Sequence, residues 1–200
     1  PNELIRAAQQ LLNVGGWLVL EFPYWPDTMA RLGYAQIYHE HYSYLSASPL
    51  WPLLAGCGFQ PERVERLNVH DGSLRIWCRR QSEHVSSVGF SQSWMDLLAA
   101  EKAQPYDWQA FALNIAAHKL KLRQMCEGRR VHGITAPAKA TVMTNWTGVR
   151  PDVIYDQTPD KVGRWLPQAD GRHIPICDWA EIDPESADLF IVYAANFMEE

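Results

Sequence analysis

The stretch "RVHGITAPAKATVMTNWTGVRPDVIYD", Arg130 to Asp156, decides the fold class. "RVHGI" reads as a short strand, "TAPAKATVMTNWTG" as a turn and a helix, and "PDVIYD" as a second strand. A strand, a helix and a strand in so short a space form a β-α-β unit, and such a crossover implies parallel pairing. A Pro-rich loop then leads through "HIPI", and "ADLFIVYA" adds another strand, so a small parallel sheet is expected over residues 128–200.

Upstream lies a different pattern. Leu4, Ile5, Ala8, Leu11 and Leu12 recur at helical spacing, and Gly15-Gly16 stops that helix. "WLVLEFP" then reads as a buried strand ending at Pro23. "SASPLWPLLAGCGF" gives a short helix, with Ser48 as N-cap, Pro49 at the first helical position and Gly56 and Gly58 near the end. "RVERLNV" and "SLRIWCRR" follow as strands around "HDG", a hairpin signal. Residues 81–90 are polar and Ser-rich, as in a linker. Two helices come next, "SQSWMDLLAAEKA" and one from Asp107 to about Cys126 with Trp108, Phe111, Ile115, Leu122 and Met125 on one face. The expected fold class is α/β, in two pieces (about residues 1–80 and 128–200) joined by a linker and helical pair over 81–127. There is no internal repeat and no low-complexity tract.

The composition excludes several classes of function. The chain has 200 residues, of which 47% are apolar and 20% charged, which suits a globular protein of one large domain or two small ones. A net charge of -5 without a basic stripe argues against nucleic acid as a partner. No apolar run approaches the roughly 18 residues of a membrane span, and "PNELIRAAQQLL" has no signal-peptide pattern. Cys57, Cys78, Cys126 and Cys177 are far apart with no C-x-x-C pair, as expected of reduced thiols in the cytoplasm. Pro1 opens directly into an element, as in a piece of a longer chain. The nine tryptophans pack a core or line a groove. No pattern specifies an oligomeric state.

Four constellations carry possible chemistry. In "QIYHEHYSYLS", Gln36 to Ser46, the H-x-H pair of an extended segment points two imidazoles to one side, which suits a metal but lacks an obvious third ligand. The same residues fit histidines hydrogen-bonded to tyrosine hydroxyls. They also fit acid–base chemistry, in which a neighbouring carboxylate fixes a histidine tautomer and tyrosine donates to an oxyanion. In "GITAPAKA", Gly133 to Ala140, a tight turn precedes a helix N-terminus with Lys139, an arrangement that suits an anion or an ordinary surface turn. It is neither a Walker A loop nor G-x-G-x-x-G, although Asp156 falls where a Rossmann unit places its ribose-binding acid. In "NVHDGSLRIW", His70, Asp71 and Arg75 form either a solvated hairpin tip or a site. In "AANF", Asn196 lies past the last apolar strand, as a ligand contact or a helix cap.

Taken in order, "GGWLVLEFPY", "YAQIYHEHYSYLS", "LAGCGF", "LNVHDGSLRIW", "GITAPAKA", "DQTPDKVGRWLP", "HIPI" and "AANF" resemble the SAM-dependent sugar C-methyltransferases, which act on nucleotide-linked keto-deoxysugars. The resemblance spans essentially the whole chain. It implies a three-part protein with an N-terminal zinc-binding module, a central SAM-binding domain and a Rossmann-like C-terminal domain that helps enclose the nucleotide sugar. On that reading residues 1–80 are the end of the SAM domain. S-adenosylmethionine is then held mostly outside this chain and zinc in a module that the sequence lacks; no metal ligands are expected here. His41 looks like the general base that removes the proton next to the sugar ketone, with Tyr38 and Glu40 positioning or polarising the substrate. His70 resembles a position near the sugar, and Lys139 and Asn196 resemble positions facing the nucleotide. His39 takes no role. The family tends to carry Gly where this chain has Asp71 and Ala140, and both fall beside the implied substrate contacts. Two other readings remain: a non-catalytic Rossmann-like module that binds a nucleotide or nucleotide sugar, and a nicotinamide-dependent oxidoreductase, against which the absent G-x-G-x-x-G counts.

Overall fold

The computed structural model describes residues 1–69, 71–82 and 90–194. The chain divides into two compact units, Pro1–Gly33 with Tyr42–Trp108, and Tyr34–His41 with Gln109–Glu200. The Tyr/His stretch is therefore divided, with Gln36–His41 in the second unit and Tyr42–Ser46 in the first.

The first unit is built on a three-stranded antiparallel sheet in the order β1-β3-β2, where β1 is Trp17–Pro23, β2 Phe59–Leu67 and β3 Ser73–Arg80. β2 and β3 form the expected hairpin, closing with Leu67 opposite Ser73. Asp71 and Gly72 in its loop have φ of 64° and 106°. At Gly72 a side chain is excluded twice, because a Cβ there would also lie 2.4 Å from that of Asp27. β1 is an edge strand and not the buried strand expected. Leu18, Leu20 and Phe22 pack inward while Trp17 and Val19 are each 42% exposed on the other face. Alternation is what a strand covered on one side must show.

Helices α1 (Asn2–Leu11), α3 (Ala47–Gly56) and α4 (Gln92–Ala103) supply the other half of this core. Of the α1 stripe only Ile5 is fully buried; Leu4 and Leu11 face solvent. The buried centre is Leu54, Phe59, Leu74, Ile76 and Trp94, each apolar side chain contributing roughly 1.5–3 kcal/mol. Cys78 lies among them, its thiol pushed up to about 12 by burial and the nearby Glu62. α3 begins at Ala47, with Ser46 and not the expected Ser48 as N-cap. The reason is Glu101 of α4, whose carboxylate accepts the Ala47 N–H (2.7 Å) and the Ser48 N–H (2.8 Å), and also the hydroxyls of Ser48 and Tyr24. A side chain distant in sequence thus caps the helix, and its negative charge sits at the positive end of the helix dipole. A short helix missed in the sequence, α2 (Trp25–Ala30), packs beside the hairpin loop, with Arg66 paired to its Asp27.

The second unit contains the β-α-β element: β4 (Val131–Ile134), α6 (Ala138–Thr147) and β5 (Val153–Asp156). With β7 (Ile174–Asp178), β8 (Leu189–Val192) and the two-residue β6 (Trp165–Leu166), the sheet order is β6-β7-β5-β4-β8, parallel except for β6. The chain leaves β4 towards β5 and returns to β8 on the other side. This reversal opens a crevice at the carboxyl end of β4. Ala140, Ile154, Ile174 and Ile176 fill the core against Tyr193 and Leu166. α5 (Trp108–Cys126) buries only Phe111 of its expected apolar face; Trp108 and Met125 are 56% and 44% exposed, so it is a largely solvated helix.

Candidate functional site

At the carboxyl end of β4 the chain turns through Thr135, whose φ is 64°. A β-branched residue in the left-handed region is strained. It is held there because its N–H donates to the Tyr155 carbonyl (2.7 Å), while the next N–H, of Ala136, donates to a carboxylate oxygen of Asp156 (2.7 Å). Asp156 also accepts from the Thr158 N–H (2.8 Å) and from Lys161 Nζ (3.1 Å). Burial alone pushes this carboxyl up. The hydrogen bonds from Thr158, Ala136 and Lys161 outweigh it and bring the group to about 2. Asp156 is therefore not a free ribose acceptor, as its position in the sequence suggested; it ties the loop after β4 to the loop after β5. Lys139 stands half-buried at the second position of α6. Ala140 points its methyl into the core, so the departure from glycine there fills the interior of the unit.

The Tyr/His segment is not extended. Tyr34–Gln36 is a turn of 3-10 helix with Tyr34 and Gln36 buried, and the Tyr34 hydroxyl meets His118 Nδ1 on α5 at 3.1 Å. The chain then folds back on itself: the Tyr38 N–H donates to the Gln36 carbonyl (3.1 Å) and the His41 N–H to the Tyr38 carbonyl (3.0 Å). In this turn the two imidazoles meet different partners, His41 the Gln36 carbonyl and His39 the Glu40 carboxylate. His41 Nδ1 lies 2.8 Å from the Gln36 carbonyl oxygen. A carbonyl only accepts, so Nδ1 carries the hydrogen, and in the neutral ring Nε2 keeps its lone pair. The Tyr38 ring packs on His41 with centroids 4.1 Å apart. Glu40 is not hydrogen-bonded to His41; its carboxylate is exposed, with His39 Nε2 at 3.9 Å. The tautomer expected to be set by a carboxylate is set by a backbone carbonyl. Among the described residues no group of three or more His, Cys, Asp or Glu side chains could hold a metal ion.

Tyr38 and His39 also form one wall of a groove of about 430 Å3. The other wall is α6, through Ala138, Thr141, Val142 and Asn145, and Pro167 lies beside it. The structure thus brings Tyr38 and His39 to α6, a hundred residues away in sequence, whereas Lys139 and His41 are not in the groove's lining. His70 and Asn196 lie outside the described residues. In the first unit, Trp108 stacks on Trp25 at 5.7 Å, with Tyr44 at 4.9 Å from Trp25 and Tyr106 at 6.0 Å from Trp108, so part of the tryptophan excess forms one aromatic cluster. Sequence reasoning missed the Gln36 carbonyl, the strained Thr135 and the groove. Only the groove left a signal, the small and branched residues at i, i+3, i+4 and i+7 of α6.

Residues 68–200 match the family described as the C-methyltransferase C-terminal domain. Over its whole length the chain is 24% identical to the C-methyltransferase NovU of Streptomyces niveus, and it spans 49% of that relative's length. The family match begins beyond the Tyr38–His41 turn, whereas the alignment with the relative includes it. Among the described residues no helix is long and apolar enough to cross a membrane. With two thirds of its residues inside the match and a parallel α/β sheet built from them, the chain belongs to the C-methyltransferase family, of which it carries the C-terminal domain.

Proposed function

We propose that the protein is the C-terminal part of a SAM-dependent C-methyltransferase that methylates the carbon next to the ketone of a nucleotide-linked deoxysugar, with His41 as general base. The observation that carries this reading is the contact between His41 Nδ1 and the Gln36 carbonyl, which puts the hydrogen of the neutral ring on Nδ1 and leaves the Nε2 lone pair to accept a proton. On this reading Tyr38, whose ring packs on that of His41, donates to the enolate oxygen that forms as the proton leaves. Glu40 lies at the solvent side, where it meets substrate or stays solvated. Lys139 at the start of α6 faces the nucleotide, and His70 and Asn196 complete the substrate contacts.

On this reading S-adenosylmethionine is held mostly outside this chain. The turns from β1 to α2, Pro23–Trp25, and from β4 to α6, Thr135–Pro137, contain no glycine that would let backbone approach a ligand. On this reading residues 1–80 complete the sheet of the SAM-binding domain, residues 81–127 connect, and residues 128–200 form the Rossmann-like domain. The outer edge of β1, unpaired among the described residues, and the exposed Trp17 and Val19 support that assignment. The four free thiols suit the cytoplasm.

The test is proton exchange in the full-length protein. A thymidine-diphosphate keto-deoxysugar incubated in D2O without S-adenosylmethionine exchanges the proton next to its ketone when His41 is present. His41→Ala slows that exchange about 10²- to 10⁴-fold. Equal exchange by both proteins would remove His41 from the reaction.

A further inference from the structure

The groove between the Tyr38–His39 turn and α6 has a composition that selects its ligand. Ala138, Thr141, Val142 and Asn145 are spaced so that they share one face of α6, while Ala140 and Thr144 point into the core from the other. Its volume of about 430 Å3 falls within the roughly 300–1,000 Å3 of small-molecule sites. Among the described residues no acid, lysine or arginine lines it, so these offer no fixed counter-charge to a phosphate. The polar atoms of Asn145 are already used: Nδ2 donates to the Thr141 and Pro167 carbonyls, and Oδ1 accepts the Ala169 N–H. Asn145 is therefore wall and fastening. Val142, Ala138, Pro167 and the Tyr38 ring make the surface mainly apolar, and Thr141 and His39 are left to bond a ligand hydroxyl. Tyr38 is shared, with its ring lining the groove and lying 4.1 Å from that of His41.

We propose that this groove, which His41 does not line, holds the side of the acceptor's sugar ring remote from the carbon that His41 deprotonates, with Val142 and Pro167 against a deoxygenated face and His39 and Thr141 on a retained hydroxyl, so that these residues determine which acceptor is methylated. The inference rests on the function proposed above and gives His39 a specificity role. An apolar wall accepts a deoxygenated carbon and leaves an added hydroxyl without a partner.

The experiment uses the full-length protein with thymidine-diphosphate keto-deoxysugars that carry or lack one ring hydroxyl. Val142→Trp fills the groove and raises KM for the deoxygenated acceptor at least tenfold, with kcat falling less than KM rises. Val142→Ser, a smaller change that keeps the helix, lowers the kcat/KM ratio of deoxygenated to hydroxylated acceptor about tenfold. His39→Ala raises KM and leaves kcat within about twofold, because a uniform binding contact is lost. Unchanged KM and unchanged acceptor preference in the two Val142 variants would overturn the proposal, even if His41→Ala abolishes turnover. If His41→Ala turns over normally, the base assignment falls, and calorimetric titration of the acceptor alone still decides the groove. Weakened binding by Val142→Trp and Val142→Ser supports it, and undiminished binding overturns it.

Discussion

Asp156 and His41 stand in the same unit, and they are held in opposite ways. Asp156 is buried and takes hydrogen bonds from two backbone N–H groups and a lysine, so that both of its oxygens are committed to joining two loops. His41 is half-buried and held by one carbonyl at one nitrogen, and its other nitrogen has no hydrogen-bond partner among the described residues. A titratable side chain whose every atom is bonded within the fold stabilises it. One that is oriented by a single bond and otherwise open can exchange a proton with a ligand. The sequence offers both as candidate site residues, and only the partner atoms separate them.

Exchanging each for alanine tests that distinction, and the largest effect is expected at His41. In the full-length protein His41→Ala lowers methyl transfer by about 10²- to 10⁴-fold, while stability changes by about 1 kcal/mol or less because the side chain is half-solvated and its removal frees only a carbonyl that still accepts the Tyr38 N–H. Turnover measured beside urea denaturation checks both halves. A large loss of stability would make His41 structural and end the contrast.

Asp156→Ala is expected to do the reverse. It leaves the Ala136 and Thr158 N–H groups and Lys161 without their acceptor, at about 2–3 kcal/mol. The acid dependence follows from the depressed carboxyl. Its folded value of about 2 lies below the ordinary 3.8, so its contribution is fully present above pH about 4 and is lost as pH falls through 2. The protonation term alone is worth about 2 kcal/mol at neutral pH. Urea midpoints at pH 7 and pH 2.5 should differ less in Asp156→Asn than in the unsubstituted protein. An equal difference would mean that other carboxylates carry the acid sensitivity.

The elements most legible in the sequence were those whose cause is local. The β4-α6-β5 unit and the hairpin over 59–80 follow from apolar runs broken by Gly and Pro. What could not be read depends on atoms brought together by the fold. The start of α3 is fixed by Glu101, more than fifty residues away. The edge position of β1 was hidden because "WLVLEFP" is apolar enough for either a central or an edge strand, and only the order β1-β3-β2 exposes Trp17 and Val19. In the candidate site, the Tyr38–His41 cluster was visible as residue types, but the extended reading reversed its geometry. A turn closed by the Gln36 carbonyl decides which imidazole is anchored and which joins the groove.

The smallest expected effect lies at the loop that Asp156 secures. Thr135 carries a branched side chain at φ 64°, a conformation costing of order 1–3 kcal/mol that persists only where neighbours impose it. Its N–H to the Tyr155 carbonyl and the Ala136 N–H to Asp156 are the restraints that impose it, and both belong to the backbone of the loop. Thr135→Gly keeps those two bonds and removes the strain, while glycine adds backbone freedom to the unfolded chain and forfeits the Thr135 hydroxyl bond to the Ile134 carbonyl. The balance favours the variant by about 1 kcal/mol, read as a higher urea midpoint. In an Asp156→Ala background the gain should shrink, because the loop is no longer forced into the left-handed turn and threonine can relax out of it. The double-mutant cycle measures that coupling directly. Additive effects would show that Asp156 does not hold Thr135 in place.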